Sequence, residues 1–140
     1  ETDMTIFFRE LSKVKKDAVA NEAISIVNNA FYNSKEITET IAENWKNWFT
    51  KYIERINFEE NSDKVREEKM NAVNPKYVLR NYMAQIAIDA ANKDDFSIIK
   101  ELHELLKTPY QEQPNSEKWY AKRPDWAREK IGCSMLSCSS

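Results

Sequence analysis

Glycine occurs once in 140 residues, at Gly132, and proline only four times. Tight hairpin turns depend on these two residues, and strict apolar/polar alternation is nowhere sustained, so helices are the remaining regular structure. The same shortage leaves no glycine-rich loop of the kind that brings backbone N–H groups against phosphate. One histidine and two cysteines cannot complete a structural zinc site by themselves, and the histidine is distant from both cysteines in sequence. No apolar run approaches the roughly 18 residues of a membrane span, and the opening "ETDMTIFF" lacks the basic and long apolar regions of a signal peptide. With 21 basic against 23 acidic side chains and a net charge of -2, there is no broad positive surface for nucleic acid or anionic lipid. Neither a nucleic-acid nor a membrane partner is expected, and a cytoplasm-like compartment follows.

What is present is 41% hydrophobic and 31% charged residues, enough for one soluble domain that buries a core. The pattern predicts an all-α region over residues 1–108 with about six helices, then an irregular tail over 109–140. The first helix covers "DMTIFFRELSKV" with Asp3 or Thr2 as cap, and the second covers "AVANEAISIVNNAFY". The third follows a Ser34 cap and carries Ile37, Ile41, Trp45, Trp48, Phe49, Tyr52 and Ile56 on one stripe that should face its neighbours. A short helix starts near Asp63. In "NPKYVLRNYMAQIAIDAANK", Asn74 is the expected cap and Pro75 the first helical residue, turning Val78, Leu79, Tyr82, Met83, Ile86 and Ala90 inward. The last helix, "DFSIIKELHELLK", ends before Pro109, and the remainder is anchored by Trp119 and Trp126.

Few side chains suggest chemistry. Asp95-Phe96-Ser97 resembles the metal-binding triplet of kinases, but without the glycine or a preceding strand it reads as a helix start capped by Asp95. His103 shares a face with Phe96, Ile99 and Leu106 and reads as a packed or half-buried structural histidine. The acidic run from Glu59 to Glu68 is interleaved with Lys64, Arg66 and Lys69 and reads as a solvated face. Asn81, Gln85 and Asp89 form a polar line at spacing four that faces water, bonds a neighbouring loop or docks another domain. Cys133 and Cys138, five apart, do not share a helix face. They are either two unremarkable tail thiols, or Cys138, unhindered near the end, pairs with a cysteine elsewhere.

The ordered series "MTIFFRELS", "EKMNAVNP", "NPKYVLRNYMAQIAIDAA", "KDDFSIIKELHELLKTPYQEQP", "RPDWA" and the terminal "SCSS" resembles the carboxyl-terminal part of the selenoprotein O family, pseudokinase-like protein adenylyltransferases. The resemblance covers essentially the whole chain. It implies a helical region of a protein-kinase-like fold, in an enzyme that binds ATP in an inverted pose with Mg or Mn and transfers AMP to Ser, Thr or Tyr hydroxyls of protein substrates. The family's nucleotide-binding lysine, metal-binding acids and catalytic aspartate lie upstream, so no catalytic, cofactor-binding or metal residue carries over to this chain. Its partner would be the upstream kinase-like core of the same polypeptide, and Glu1 would be a truncation point. In the family's terminal motif the redox residue matches Cys138. Cys133 is left open, because selenocysteine-containing members place the companion cysteine closer than the four intervening residues here. A cytoplasmic location is implied in a bacterium and a mitochondrial one in a eukaryote. By itself the chain is expected neither to bind ATP tightly nor to transfer AMP. Two other classes stand beside this reading. One is a free-standing helical interaction module. The other is a thiol oxidoreductase, against which the lack of a C-x-x-C motif counts.

Overall fold

Asp3 starts the first helix as a side-chain cap: its Oδ1 accepts the Ile6 N–H at 3.1 Å, satisfying one of the donors that a helix start leaves open. The same carboxylate accepts from the Tyr32 hydroxyl at 3.2 Å, and the Asp3 N–H donates to the Ala30 carbonyl at 2.8 Å. The amino terminus is thereby held against the turn that follows the second helix. In this computed structural model, which describes residues 1–33, 37–130 and 133, the helices are α1 (Met4–Leu11), α2 (Ala20–Val27), α3 (Glu39–Asn57), α4 (Asp63–Val73), α5 (Asn81–Ala91), α6 (Ser97–Leu105) and the single turn α7 (Trp126–Glu129). Among the described residues two 3₁₀ segments, Asn28–Ala30 and Pro114–Trp119, lie between them. Among the described residues the one extended pairing is a bridge between Thr2 and Phe31, so the region is all-α.

The chain forms two compact units, Glu1–Pro75 and the residues from Lys76 onward. The division falls inside the span 1–108 that the sequence reads as one helical region. In the first unit, α2 packs on α3 and α1 packs on α2. Ile6, Leu11, Val14, Ala23, Val27, Phe31, Phe49 and Ile56 are buried, and each large apolar side chain among them contributes about 1.5–3 kcal/mol relative to exposure. Trp45 joins this core from one side, its ring centroid 5.3 Å from that of Phe31 and 5.6 Å from that of Phe7.

The α3 stripe is covered only in part. Phe49 and Ile56 are buried and Trp45 and Tyr52 half-buried, but Ile41 and Trp48 are 42% and 41% exposed, because at about 100° per residue these two lie together on the edge of the stripe away from Phe49 and Ile56. Thr38 caps α3, its hydroxyl accepting the Ile41 N–H at 3.3 Å; Ser34, the expected cap, lies outside the described residues. Ser62 caps α4 in the same way through Val65. The solvated-face reading of the following run needs correction at Arg66, which is buried. Its guanidinium donates to the Val14 carbonyl, to Asp63 Oδ1 at 3.1 Å and to the Tyr52 hydroxyl at 3.3 Å, and these partners replace part of the water it loses, the Nε–H being buried without a hydrogen bond. Arg9 is buried likewise, donating to the Asn71 and Asn74 carbonyls at 3.2 Å and so tying α1 to the end of α4.

Asn74 does not cap the helix that follows it. It ends α4, with both its N–H and its side-chain amide donating to the Met70 carbonyl, and α5 starts only at Asn81. The segment between is non-helical because the Lys76 and Tyr77 N–H groups both donate to the Pro109 carbonyl, at 2.8 and 3.1 Å, while the Tyr77 ring is buried in the second unit. Leu79 is consequently 57% exposed instead of facing inward, and Val78 is half-buried. Tyr77, Tyr82, Met83, Ala87, Leu102, Leu105, Trp119, Ala127 and Cys133 make this unit's core. At the α5–α6 turn Asp94 takes φ 60°, a left-handed conformation that Asp tolerates, and the Asp95 N–H then reaches the Ala90 carbonyl at 3.1 Å.

Candidate functional site

Lys76 is the electrostatic centre of the second unit. Its backbone is fixed by Pro109, its side chain is 8% exposed, and its Nζ lies 2.6 Å from Glu112 Oε2 and 2.5 Å from Glu117 Oε1. The ammonium also stands 4.9 Å from the centre of the Tyr120 ring, close enough for cation–π attraction. Beside it the Tyr77 hydroxyl donates to the Gln113 carbonyl at 3.2 Å. Burial pulls the Lys76 pKa down, but the hydrogen bonds and charges of Glu112 and Glu117 outweigh it and hold the group above the ordinary lysine value. Burial raises the neighbouring Tyr77 phenol, so both groups keep their protons. A lysine held this way cannot serve as a base or nucleophile, both of which need it deprotonated; it works as a staple.

Two further ion pairs tie the segment after Pro109 to the helices. Glu101 on α6 accepts from the Trp119 indole N–H at 2.8 Å and pairs with Lys118 at 2.7 Å. Its pKa is lowered, chiefly by the Lys118 hydrogen bond and, against some desolvation, by Trp119. The polar line on α5 does the same for Lys130: Gln85 Nε2 donates to Asp89 Oδ1 at 2.7 Å, and Lys130 Nζ stands 2.6 Å from Asp89 Oδ2. Those bonds, Lys130 first, lower the Asp89 pKa. Asn81, Gln85 and Asp89 therefore include a bonded loop contact, one of the readings their spacing allowed. Trp119 anchors as expected, being buried, whereas Trp126 is 45% exposed and touches Tyr82 edge-on with ring centroids 6.4 Å apart.

The other sequence candidates do not converge. Asp95 is not the cap of α6: the N-cap is Phe96, without a side-chain capping bond, and Asp95, one position earlier, accepts the Ser97 N–H at 2.9 Å and so holds the turn into the helix. His103 is exposed in the last turn of α6, not packed, because Phe96 and Ile99, with which it shares a face, are themselves exposed, at 52% and 44%. Cys133 is a free thiol, 3% exposed within the second core. Cys138 lies outside the described residues. Among the described residues no group of three or more His, Cys, Asp or Glu side chains is placed to hold a metal ion. No helix among them is long and apolar enough to cross a membrane. The network that sequence reasoning missed is Lys76 with Glu112 and Glu117, and the one signal available was a lysine between Pro75 and an aromatic, which is too common to single out.

Geometry thus defines a class first: an all-α region whose polar side chains staple helices and carry no assembled nucleophile–base pair among the described residues. Over residues 1–107 the sequence matches the family model described as "Protein adenylyltransferase SelO", and the chain belongs to that family. Its relatives include the protein nucleotidyltransferase YdiU of Flavobacterium johnsoniae, 60% identical over 140 residues, which are all of this chain and 27% of that protein. The proteins of the same name from Rhodopirellula baltica and Aromatoleum aromaticum are each 45% identical, again across the whole chain, of which it spans 28% and 26%. The chain thus spans about a quarter of the length of the curated relatives it matches.

Proposed function

We propose that this chain is the carboxyl-terminal part of a protein adenylyltransferase that transfers AMP from ATP to Ser, Thr or Tyr hydroxyls of proteins. The observation that carries this is the alignment of the whole chain, at 45–60% identity, with proteins named nucleotidyltransferases. In that reaction the substrate hydroxyl oxygen forms a bond to the α-phosphorus, the bond to the pyrophosphate leaving group breaks, and the hydroxyl proton passes to a base. The residues that bind ATP and Mg or Mn belong to a kinase-like core upstream, and this region supports that core. Lys76, Arg66 and the two ion pairs after Pro109 fit a supporting role, since each spends its polar groups on internal contacts. The bacterial relatives support a cytoplasmic setting.

Cys138 supplies a redox-sensitive contact at the end of the chain, pairing with a cysteine of the core. The family resemblance of the terminal "SCSS" supports it, while the thiol of Cys133 is buried and closed to exchange reagents. The interaction-module and oxidoreductase readings have no comparable support from the relatives. Labelled-ATP transfer onto a mixed protein substrate tests the proposal, with the longer polypeptide and the 140-residue chain assayed side by side. Label transfer by the longer protein alone is the expected result. Transfer by the 140-residue chain would place the active site here, and no transfer by either would remove the assignment.

A further inference from the structure

On the first unit the uncovered edge of α3 is an aromatic groove. Phe7 forms its floor, Ile41, Trp45 and Trp48 its wall, and Asn44 its one polar lining residue, around a cleft of about 400 Å³. Trp48 is pinned there by its neighbours: its ring stacks on Tyr52 at 5.4 Å with 6° between planes, meets Phe49 edge-on at 4.9 Å, and lies 6.1 Å from Phe7. Phe8, whose ring packs edge-on against Phe7 at 5.6 Å, is 37% exposed, and Met4, one turn earlier on α1, is 61% exposed. Phe7 thus links the cleft on α3 to the exposed Phe8 on α1, and Met4 is a further exposed apolar residue of that helix. Singly exposed apolar residues are ordinary, but a contiguous apolar patch with a preformed cleft marks a surface that something covers.

We infer that this groove is where the remainder of the same polypeptide packs. The inference rests on the reading that the chain is part of a longer adenylyltransferase, and it names the face that such a core would cover. The relatives carry nearly three quarters of their length outside the matched region, so the missing partner is large and covalently joined, and it is present at high effective concentration whatever the protein concentration. The rings are already held in position by their neighbours, which lowers the ordering cost of such a contact.

Hydroxyl-radical footprinting of the longer polypeptide, compared with the 140-residue chain, tests it. Expected is a severalfold drop in modification of Trp48, Phe8 and Met4 in the longer protein, independent of protein concentration, while Phe58, 84% exposed at the end of α3, stays equally reactive in both. Equal modification of Trp48 in the two proteins overturns the inference, and so does protection that grows with concentration, because a second copy would then be the occupant. Trp48→Glu is the companion variant. It is expected to lower the unfolding midpoint of the longer protein by clearly more than that of the 140-residue chain, which loses only the ring contacts within its own unit; an equal shift in both would show that Trp48 serves only its own unit. AMP transfer by the same preparation is scored separately, so an active longer protein with an unprotected Trp48 rejects the groove and keeps the function, whereas a protected Trp48 in an inactive protein supports the groove and rejects the function.

Discussion

Lys76 and Glu117 are forty-one positions apart in sequence, and their charged groups meet at 2.5 Å, with the lysine buried and the carboxylate half exposed at 51%. That asymmetry of burial decides which partner is the more costly to remove. A carboxylate deprived of its lysine can still be hydrated, but an ammonium deprived of both carboxylates stays in a largely apolar setting.

The double substitution Glu112→Gln with Glu117→Gln is therefore expected to destabilise the chain by about 1–3 kcal/mol, since it leaves a buried charge without its counter-ions. Lys76→Met, which keeps the apolar stem, is expected to cost under about 1.5 kcal/mol. Urea unfolding of both variants measures the difference, and the reverse order would show that the ammonium is better hydrated than its burial implies.

Stability should fall at both ends of the pH scale for separate reasons. Asp89 and Glu101 have lowered pKa values in the fold, from the Lys130 and Lys118 hydrogen bonds above all, so their contribution is complete above the unfolded carboxylate values near 4 and is lost as pH falls through the folded ones. Lys76 and Tyr77 have raised values, so theirs is complete below about pH 10 and is lost as pH rises through the folded values. Denaturant midpoints measured from pH 3 to 11 should show both limbs. Glu101→Gln should flatten the acid limb and leave the alkaline one alone.

Phe49 has no exposed surface, so Phe49→Ala is expected to cost about 3–5 kcal/mol through lost burial and the cavity left behind. Phe58→Ser, nine positions along at the end of the same helix, should stay within about 0.5 kcal/mol. Thermal or urea melts of the pair check whether α3 is oriented as described.

Cys133 should alkylate slowly in the native chain and rapidly in denaturant, because its sulfur is reached only when the second core opens. Cys133→Ser is expected to cost about 1–3 kcal/mol by placing a hydroxyl in that core. For Cys138, mass mapping of the longer polypeptide under oxidising and reducing conditions is decisive. Cys138→Ala should abolish one disulfide and the redox dependence of AMP transfer, and an unchanged disulfide pattern would move the switch to another residue.

The helices were legible in the sequence wherever the cause is local. Asp3 bonding the N–H of Ile6, the start of α4 near Asp63 and the turn into α6 at Asp95 each depend on residues two or three positions apart. The α3 stripe was legible as a period but not as a burial pattern. Periodicity says that Trp48 and Phe49 lie on the same broad face, about 100° apart around the helix, but only the way the neighbouring helices pack on α3 decides that Phe49 is covered and Trp48 is not. His103 was misjudged for the same reason, since Phe96 and Ile99 line up with it but nothing among the described residues covers them.

The amino-acid sequence by itself determined that this region is helical, that α1 begins at Asp3 and α4 near Asp63, and that it belongs with the adenylyltransferase family, because capping, period and motif order are properties of neighbours along the chain. Tertiary structure alone decided that residues 74–80 are not helical, that Lys76 and Arg66 are buried charges, and that the segment after Pro109 is bonded into α5 and α6. A backbone N–H will leave the helical pattern for a carbonyl thirty residues away, and a charge will accept burial, only when the distant partner is already in place. Pro109, Glu112 and Glu117 for Lys76, and Val14 for Arg66, are such partners, and no short stretch of sequence contains both members of any of these pairs.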